Sequence, residues 1–232
     1  MILLATDTSG KDGSVALARI PGPPAPDRVS SASSSLEILD LVPLEGGTFS
    51  AQLVPQISAL LSKHGFGRQD IGAFAVASGP GSFTGLRVGL AAIKALAEIL
   101  RKPIAAVSRL EAVARSGRAR GRVVAALEAG RDEIYAGDYE LSGARPRPLS
   151  ERLLSREQFL SEAKSARVVT PDRSVAEAAL SAGIAVEHII RPGSDVIAQI
   201  GWEKIQSGET ISPEKLEANY IRRSDAEIFA KK

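Results

Sequence analysis

The stretch Ala77–Leu90 reads ASGPGSFTGLRVGL, with glycines at 79, 81, 85 and 89. A glycine-rich turn opening a helix is the usual cradle for a phosphate, because bare amides and the helix dipole face the anion. The spacing excludes the two common forms. A P-loop needs G-x-x-x-x-G-K-[ST], but five residues instead of four separate Gly79 from Gly85, Leu86 follows, and the next lysine along the helix is Lys94. The dinucleotide fingerprint G-x-G-x-x-G fails as well, since Gly79 to Gly85 carries one residue too many. What remains is weak anion binding by helix amides, or a plain strand-to-helix turn at Pro80 and Gly81 capped by Ser82 or Thr84.

The helix that follows, from about Thr84 to Leu100, carries more information. Gly85, Gly89 and Ala92 recur at i, i+4 and i+7, a stripe without bulky side chains, while Leu86, Leu90, Ile93, Ala97 and Leu100 line the neighbouring face. Each interior glycine costs about 0.8–1.0 kcal/mol against alanine. Close approach of another helix would offset that cost, because a missing Cβ lets backbones and dispersion contacts come nearer. The second helix belongs either to this chain or to a partner. If it belongs to a partner, Gly89→Leu blocks docking and leaves the fold standing.

Other reactive constellations are thin. With no cysteine and two distant histidines, His64 and His188, thiol chemistry, thiolate or His-rich metal sites and Ser-His-Asp triads are unsupported. Asp132 and Glu133 are adjacent, so on a strand they point to opposite faces and make no acid–base pair. Arg109, Arg115, Arg118, Arg120 and Arg122, with Arg222, Arg223, Lys231 and Lys232 near the C-terminus, either meet nucleic-acid phosphates or form a solvated loop and tail. A net charge of +2 is too even to attract nucleic acid or membrane through the whole-protein field. The start MILLATDTSG has no basic leader, and Val88–Leu100 is interrupted by Lys94 and Glu98, so a cytoplasmic protein without a membrane span is expected.

The elements that must position these residues follow from periodicity. Ile2–Ala5 and Ser14–Ile20 read as a hairpin, with a third strand near Val29–Leu36 after the proline-rich PGPPAP. Leu53, Ile57, Leu60 and Leu61 recur at helical spacing between Ser50 and Lys63. Ile71–Ala77 reads as a strand buried on both faces, and a short strand lies near Ile104–Val107. Arg122–Leu141 opens a second unit with another hairpin, followed by helices near Ser174–Ala182 and Asp195–Ser207. The order predicts an α/β protein of mixed sheets with flanking helices, in two tandem related domains, 1–105 and 106–232, the second reduced.

GPGSFTGLRVG strongly resembles the signature of the TsaB (YeaZ) family of bacterial tRNA threonylcarbamoyladenosine biosynthesis proteins. MILLATDTSG…GSVAL, LVPQISALL, VVAALEAGRDEIYAGDY and LEANYIRRSDAEIFAKK resemble that family's opening hairpin, first helix, second hairpin and tail, so the likeness runs along nearly the whole chain. It implies an actin-like, sugar-kinase-like (ribonuclease H-like) ATPase fold. It also implies a non-catalytic relative of TsaD that pairs with TsaD through its first two helices, is joined by TsaE, and reaches tRNA through the complex. A homodimer through the same face is expected when the chain is alone.

Carried onto this sequence, the partner-binding residues are Leu53, Ile57, Leu60 and Leu61 on the first helix. On the second they are Gly85, Leu86, Gly89, Leu90, Ala92 and Ile93. Asp7, Thr8, Ser9 and Gly10 stand where actin-like ATPases hold phosphate and Mg²⁺, and imply weak nucleotide contacts. No catalytic or metal-binding residue is expected, and no tightly bound cofactor, with ATP and Mg²⁺ used by the complex. The sequence departs from the family at Phe49, where histidine is common, and at Glu128 and Gly130, where Asp and Arg are common. The competing expectation is a free-standing actin-like ATPase or small-molecule kinase using Asp7.

Overall fold

Six consecutive buried residues, Ile2–Asp7, cannot lie on a half-solvated sheet, and both faces of this strand are covered. The computed structural model describes residues 1–20, 36–45, 48–142 and 146–222. They fall into two compact units. The first comprises Met1–Ser78, Thr84–Val107 and Gly193–Ala218, and the second Gly79–Phe83, Ser108–Pro192 and Asn219–Lys232.

In the first unit, β1 (Ile2–Asp7), β2 (Gly13–Arg19), β3 (Glu37–Leu44), β4 (Ile71–Gly79) and β5 (Ile104–Ser108) form a sheet of order β3-β2-β1-β4-β5. Strand β1 runs antiparallel to β2, pairing Ala5 with Ala16, and parallel to β4, pairing Ala5 with Ala75. Large side chains take one face: Ile2, Leu4, Val15, Leu17, Phe74 and Val76 share a core with α1 (Phe49–Lys63) and α2 (Phe83–Leu100). The other face is small. There α6 (Ser194–Gln206) packs on β1 and β2, so near that a Cβ on Gly201 would lie 2.4 Å from that of Ala75. Its N-terminus is pinned by a buried clasp, in which the Ser194 amide donates to Ser14 Oγ at 2.9 Å and Ser194 Oγ to the Ser14 carbonyl at 2.7 Å.

The second unit repeats the plan with β6 (Gly121–Gly130), β7 (Glu133–Leu141), β8 (Arg147–Ser155), β9 (Arg167–Thr170) and β10 (Val186–His188), in the order β10-β9-β6-β7-β8. Counted within each unit, both sheets run third, second, first, fourth, fifth. The helices α4 (Arg156–Glu162) and α5 (Arg173–Ser181) stand where α1 and α2 stand in the first unit, but have 7 and 9 residues against 15 and 18. The reduction lies in the covering helices, not in the strand order.

Three expectations are corrected. The third strand is Glu37–Leu44, while Val29–Ser35 lies outside the described residues. The division at 105/106 puts α6 in the second unit, yet it packs on the first sheet. Helix α3 (Arg109–Ser116), which follows β5, packs on β6 and β7, on the side where that division puts it. A helix goes where its apolar face is buried, whatever its place in the chain. Lastly, the arginine-rich segment read as a loop begins as this α3 helix. Ser108 Oγ accepts from the amides of Leu110 and Glu111, a cap ahead of an apolar face of Leu110, Val113 and Ala114.

Candidate functional site

The β1–β2 turn brings Asp7, Thr8 and Ser9 together, all buried. Ser9 donates both its amide, at 2.8 Å, and its hydroxyl to Asp7 Oδ1. Thr8 Oγ1 donates to the Gly85 carbonyl on α2 at 2.7 Å. A Cβ on Gly89 would sit 2.4 Å from that same oxygen. The close approach that Gly89 permits is therefore to Thr8 of this chain and not to another helix, which corrects the expectation. Gly13 is explained likewise, since a Cβ there would meet the Asp7 carbonyl at 2.7 Å and the Phe49 ring at 2.9 Å. Phe49 thus packs on the hairpin as an apolar residue.

These residues do not fit a phosphate as they stand. Both hydroxyls and the Ser9 amide are engaged inside the protein, and the Asp7 carboxylate already accepts two of those donors. Gly10 is partly exposed beside them.

The β6–β7 turn is closed too, by different means. The Glu128 amide donates to Asp172 Oδ2 at 2.8 Å, and Ser174 Oγ to the Glu128 carboxylate at 2.5 Å. Gly130, Arg131 and Asp132 have φ of 73, 55 and 60°, a left-handed run that suits glycine best, that aspartate tolerates and that strains Arg131. Asp132 pairs with Arg156 and Glu133 with Arg222. The adjacent acids therefore serve two separate arginines.

The ten residues read as partner-binding face inward. Leu53, Ile57, Leu60 and Leu61 on α1, with Gly85, Leu86, Gly89, Leu90 and Ile93 on α2, are buried in the first unit, and Ala92 is half-buried. No partner can reach such side chains without opening the core. The face α1 presents to water is Ala51, Val54, Pro55, Ser58, Ala59 and Ser62. On α2 it is Phe83, Thr84, Arg87, Ala91, Ala95 and Ile99. Val54 is 56% and Ile99 74% exposed. Helical periodicity finds two faces, and burial alone tells which one is inside.

The arginines are dispersed. Arg109 is buried and donates to the Pro80 carbonyl at 3.0 Å. Arg120 folds back on the carbonyls of Arg118 and Ala119, and Arg122 chelates Asp138. Arg223, Lys231 and Lys232 lie outside the described residues. At the end of α1, Lys63 and His64 both bond Asp40, at 2.7 and 2.9 Å, and these contacts hold its carboxyl down at about 2. Burial pushes the Tyr139 hydroxyl upward, and the Glu151 carboxylate it donates to adds to the shift. One feature has no local signal in the sequence: Phe83, opening α2, packs against Tyr220 with ring centroids 5.0 Å apart. Among the described residues no three His, Cys, Asp or Glu are grouped to hold a metal ion, and no helix is long and apolar enough to cross a membrane.

Two sheets of one strand order, each opened by a hairpin, define the class: a duplicated α/β protein of two mixed five-stranded sheets. YeaZ from Pseudomonas aeruginosa superposes with a TM-score of 0.75 at 26% identity, over 94% of this chain and 99% of that one. Residues 46–190 match the family model described as "TsaD: tRNA N6-adenosine threonylcarbamoyltransferase", and the chain belongs to this family, on its TsaB (YeaZ) side. It is 33% identical to the tRNA threonylcarbamoyladenosine biosynthesis protein TsaB of Bacillus subtilis, over 60% of this chain and 56% of that protein. With TsaB of Escherichia coli it shares 28% over 75% of this chain and 81% of that protein. The first of these matches thus spans little more than half of the relative's length.

Proposed function

We propose that this chain takes part in tRNA threonylcarbamoyladenosine biosynthesis as a non-catalytic, activating subunit. It pairs with a TsaD-type transferase, joined by TsaE, for N6-threonylcarbamoylation of the adenosine beside the anticodon. The observation that carries this reading is the closed β1–β2 turn in a chain of this family. Where an actin-like enzyme would present phosphate donors, Thr8 is tied to α2 and Ser9 to Asp7. ATP and Mg²⁺ are then handled by the complex, and tRNA is met through it.

The partner surface is the outward face of α1 and α2, in which Ala51, Ser58, Ala59, Ser62, Ala91 and Ala95 let a helix pair lie close. An interface of this kind buries about 800 Å² per partner. Left uncovered, the same face supports self-association.

Reconstitution tests the proposal. Purified transferase, TsaE, threonylcarbamoyl-adenylate and tRNA are combined with and without this chain, and modified adenosine is counted by mass spectrometry. Modification that depends on the chain is the expected result. Modification at the same rate without it, or Mg²⁺-dependent ATP hydrolysis by the chain alone, would instead favour a free-standing ATPase or kinase using Asp7.

A further inference from the structure

We infer that the end of the second sheet where β6, β8, β9 and β10 begin is a docking surface for the phosphate backbone of RNA. This rests on the reading above, in which the chain serves tRNA modification, and adds a direct contact between this chain and the tRNA.

The two ends of that sheet treat their cations differently. At the end that carries the β6–β7 turn, arginines are neutralised one by one. Arg156 pairs with Asp132, Arg173 with Glu177, Arg191 with Asp172 and Arg222 with Glu133. At the other end Arg118, Arg120, Arg147, Lys164 and Arg167 are all exposed. Among the described residues, none of these five has a carboxylate within ion-pair distance. Arg120 folds only onto the backbone carbonyls of Arg118 and Ala119, which leaves its charge in place. The acids that share this end are otherwise engaged. Asp138 holds Arg122 and Glu162 holds Arg152, while Glu187 accepts from the amides of Arg118 and Ala119 at 2.7 and 3.1 Å. Only Glu140, among the described residues here, is left to face the five cations.

Strand register, not sequence, gathers them. Arg167 opens β9 and pairs with Val123, next to Arg122 on β6. Arg122 pairs with Glu140 at the end of β7, and Glu140 with Arg147, which opens β8. Four strands at a spacing of about 4.8 Å make a row about 14 Å wide. Lys164 stands three residues before Arg167, and Arg118 and Arg120 lead directly into β6. The net charge of +2 conceals this surface, because the balancing acids lie elsewhere in the chain.

The fitting occupant is a polyphosphate backbone. A duplex strand presents a phosphate about every 3.4 Å, so a row of that width meets several at once. Four of the five cations are arginines, whose planar forks match phosphate oxygens two at a time. They extend from strand ends and short loops whose backbone is already ordered, so little further ordering is lost on binding. Phosphate contacts position a nucleic acid without reading its bases, which suits a subunit that holds tRNA and leaves the chemistry to the transferase.

The test follows the anisotropy of fluorescently labelled tRNA as the complex of full chain, transferase and TsaE is added, at several KCl concentrations. Arg147→Gln, Lys164→Gln and Arg167→Gln together are expected to weaken tRNA binding about tenfold or more and to reduce the salt slope of log affinity by about 2. Arg147→Lys with Arg167→Lys should keep the wild-type slope, and Arg173→Gln, at the opposite end of the sheet, should change neither quantity. Should the triple variant melt early, Arg118→Gln alone decides the matter, with an expected loss of about 1 in slope. A wild-type slope for the glutamine variants, with modification still dependent on the chain, overturns the RNA surface and leaves the partner reading standing. Modification that needs no chain overturns the partner reading, and the same slopes measured on the chain alone then decide the RNA surface. Weaker transferase binding by the triple variant at an unchanged tRNA slope would assign the cations to an acidic protein face and overturn the inference.

Discussion

The two halves of this protein share one strand order and solve the same problem, a hairpin turn beside the covered sheet, in opposite ways. In the first half the β1–β2 turn is closed from inside by short side chains. Thr8 reaches α2 across the space Gly89 leaves, Ser9 serves Asp7, and α1 and α2 run the length of an apolar face. In the second half α4 and α5 are half as long, and the sheet beyond α4 turns polar. Arg122, Asp138, Ser150, Arg152 and Glu162 line a shallow recess there, over Val124, Ala136, Leu154 and Phe159. The β6–β7 turn is held from outside, by Asp172, Arg156 and the late-arriving Arg222. The shorter helices bury less, so charge pairs and the C-terminal segment take over the work. The difference teaches that long helices with an exposed small-residue face cover the first sheet, where side-chain closure makes charge pairs unnecessary.

Substitutions can break this contrast. The largest effect is expected at Gly89. A leucine there collides with Thr8 Oγ1, and overpacking of this kind costs about 3 kcal/mol or more, so Gly89→Leu should lose stability in urea unfolding and not partner binding alone. The expectation that the fold would stand is thereby reversed. If Gly89→Leu is as stable as wild type, the inside closure of the first turn is wrong.

Next comes Arg222→Ala, which strips the β6–β7 turn of charge-assisted bonds worth about 2 kcal/mol in total. Faster hydrogen exchange is expected in Glu128–Ile134 and no change in Asp7–Gly13. Equal changes in both turns would erase the contrast.

Thr6→Val sharpens it from the other side. Thr6 is fully buried and its hydroxyl has no hydrogen-bond partner, so an isosteric methyl should leave stability unchanged or raise it by up to about 1 kcal/mol. A marked loss on Thr6→Val would reveal a bond to that hydroxyl.

The smallest effect concerns Asp40. Its folded value, lowered from 3.8 to about 2 by Lys63 and His64, makes a contribution fully present above pH 4 that disappears as pH falls toward 2. The pair is solvent-screened, so Asp40→Asn should flatten only the acid limb of the stability curve. An unchanged acid limb would show that the lowered value does not matter to folding.

Much of the fold was legible. Uninterrupted apolar runs at Ile2–Ala5 and Ile71–Ala77 can only be strands covered on both sides, and the second hairpin announced the duplication. The short elements β8, α4, β9 and β10 escaped notice because three to nine residues carry too little periodicity to separate strand from helix. Leu53, Ile57, Leu86 and Gly89 were read as a partner-binding stripe, but it is the stripe that faces the sheet. Phe83 and Tyr220 were illegible as a pair, because nothing local to either residue refers to the other.

Taken alone, the sequence determined which segments are strands and helices, that the plan is doubled, and that Gly85 and Gly89 need something close by. These are local matters of side-chain period, glycine cost and turn chemistry. Only the tertiary structure decided that Thr8 is that close neighbour, that α6 packs on the first sheet although it follows the second, and that Tyr220 meets Phe83. Such choices depend on which apolar faces can be buried together, a property of the assembled chain and not of any window within it.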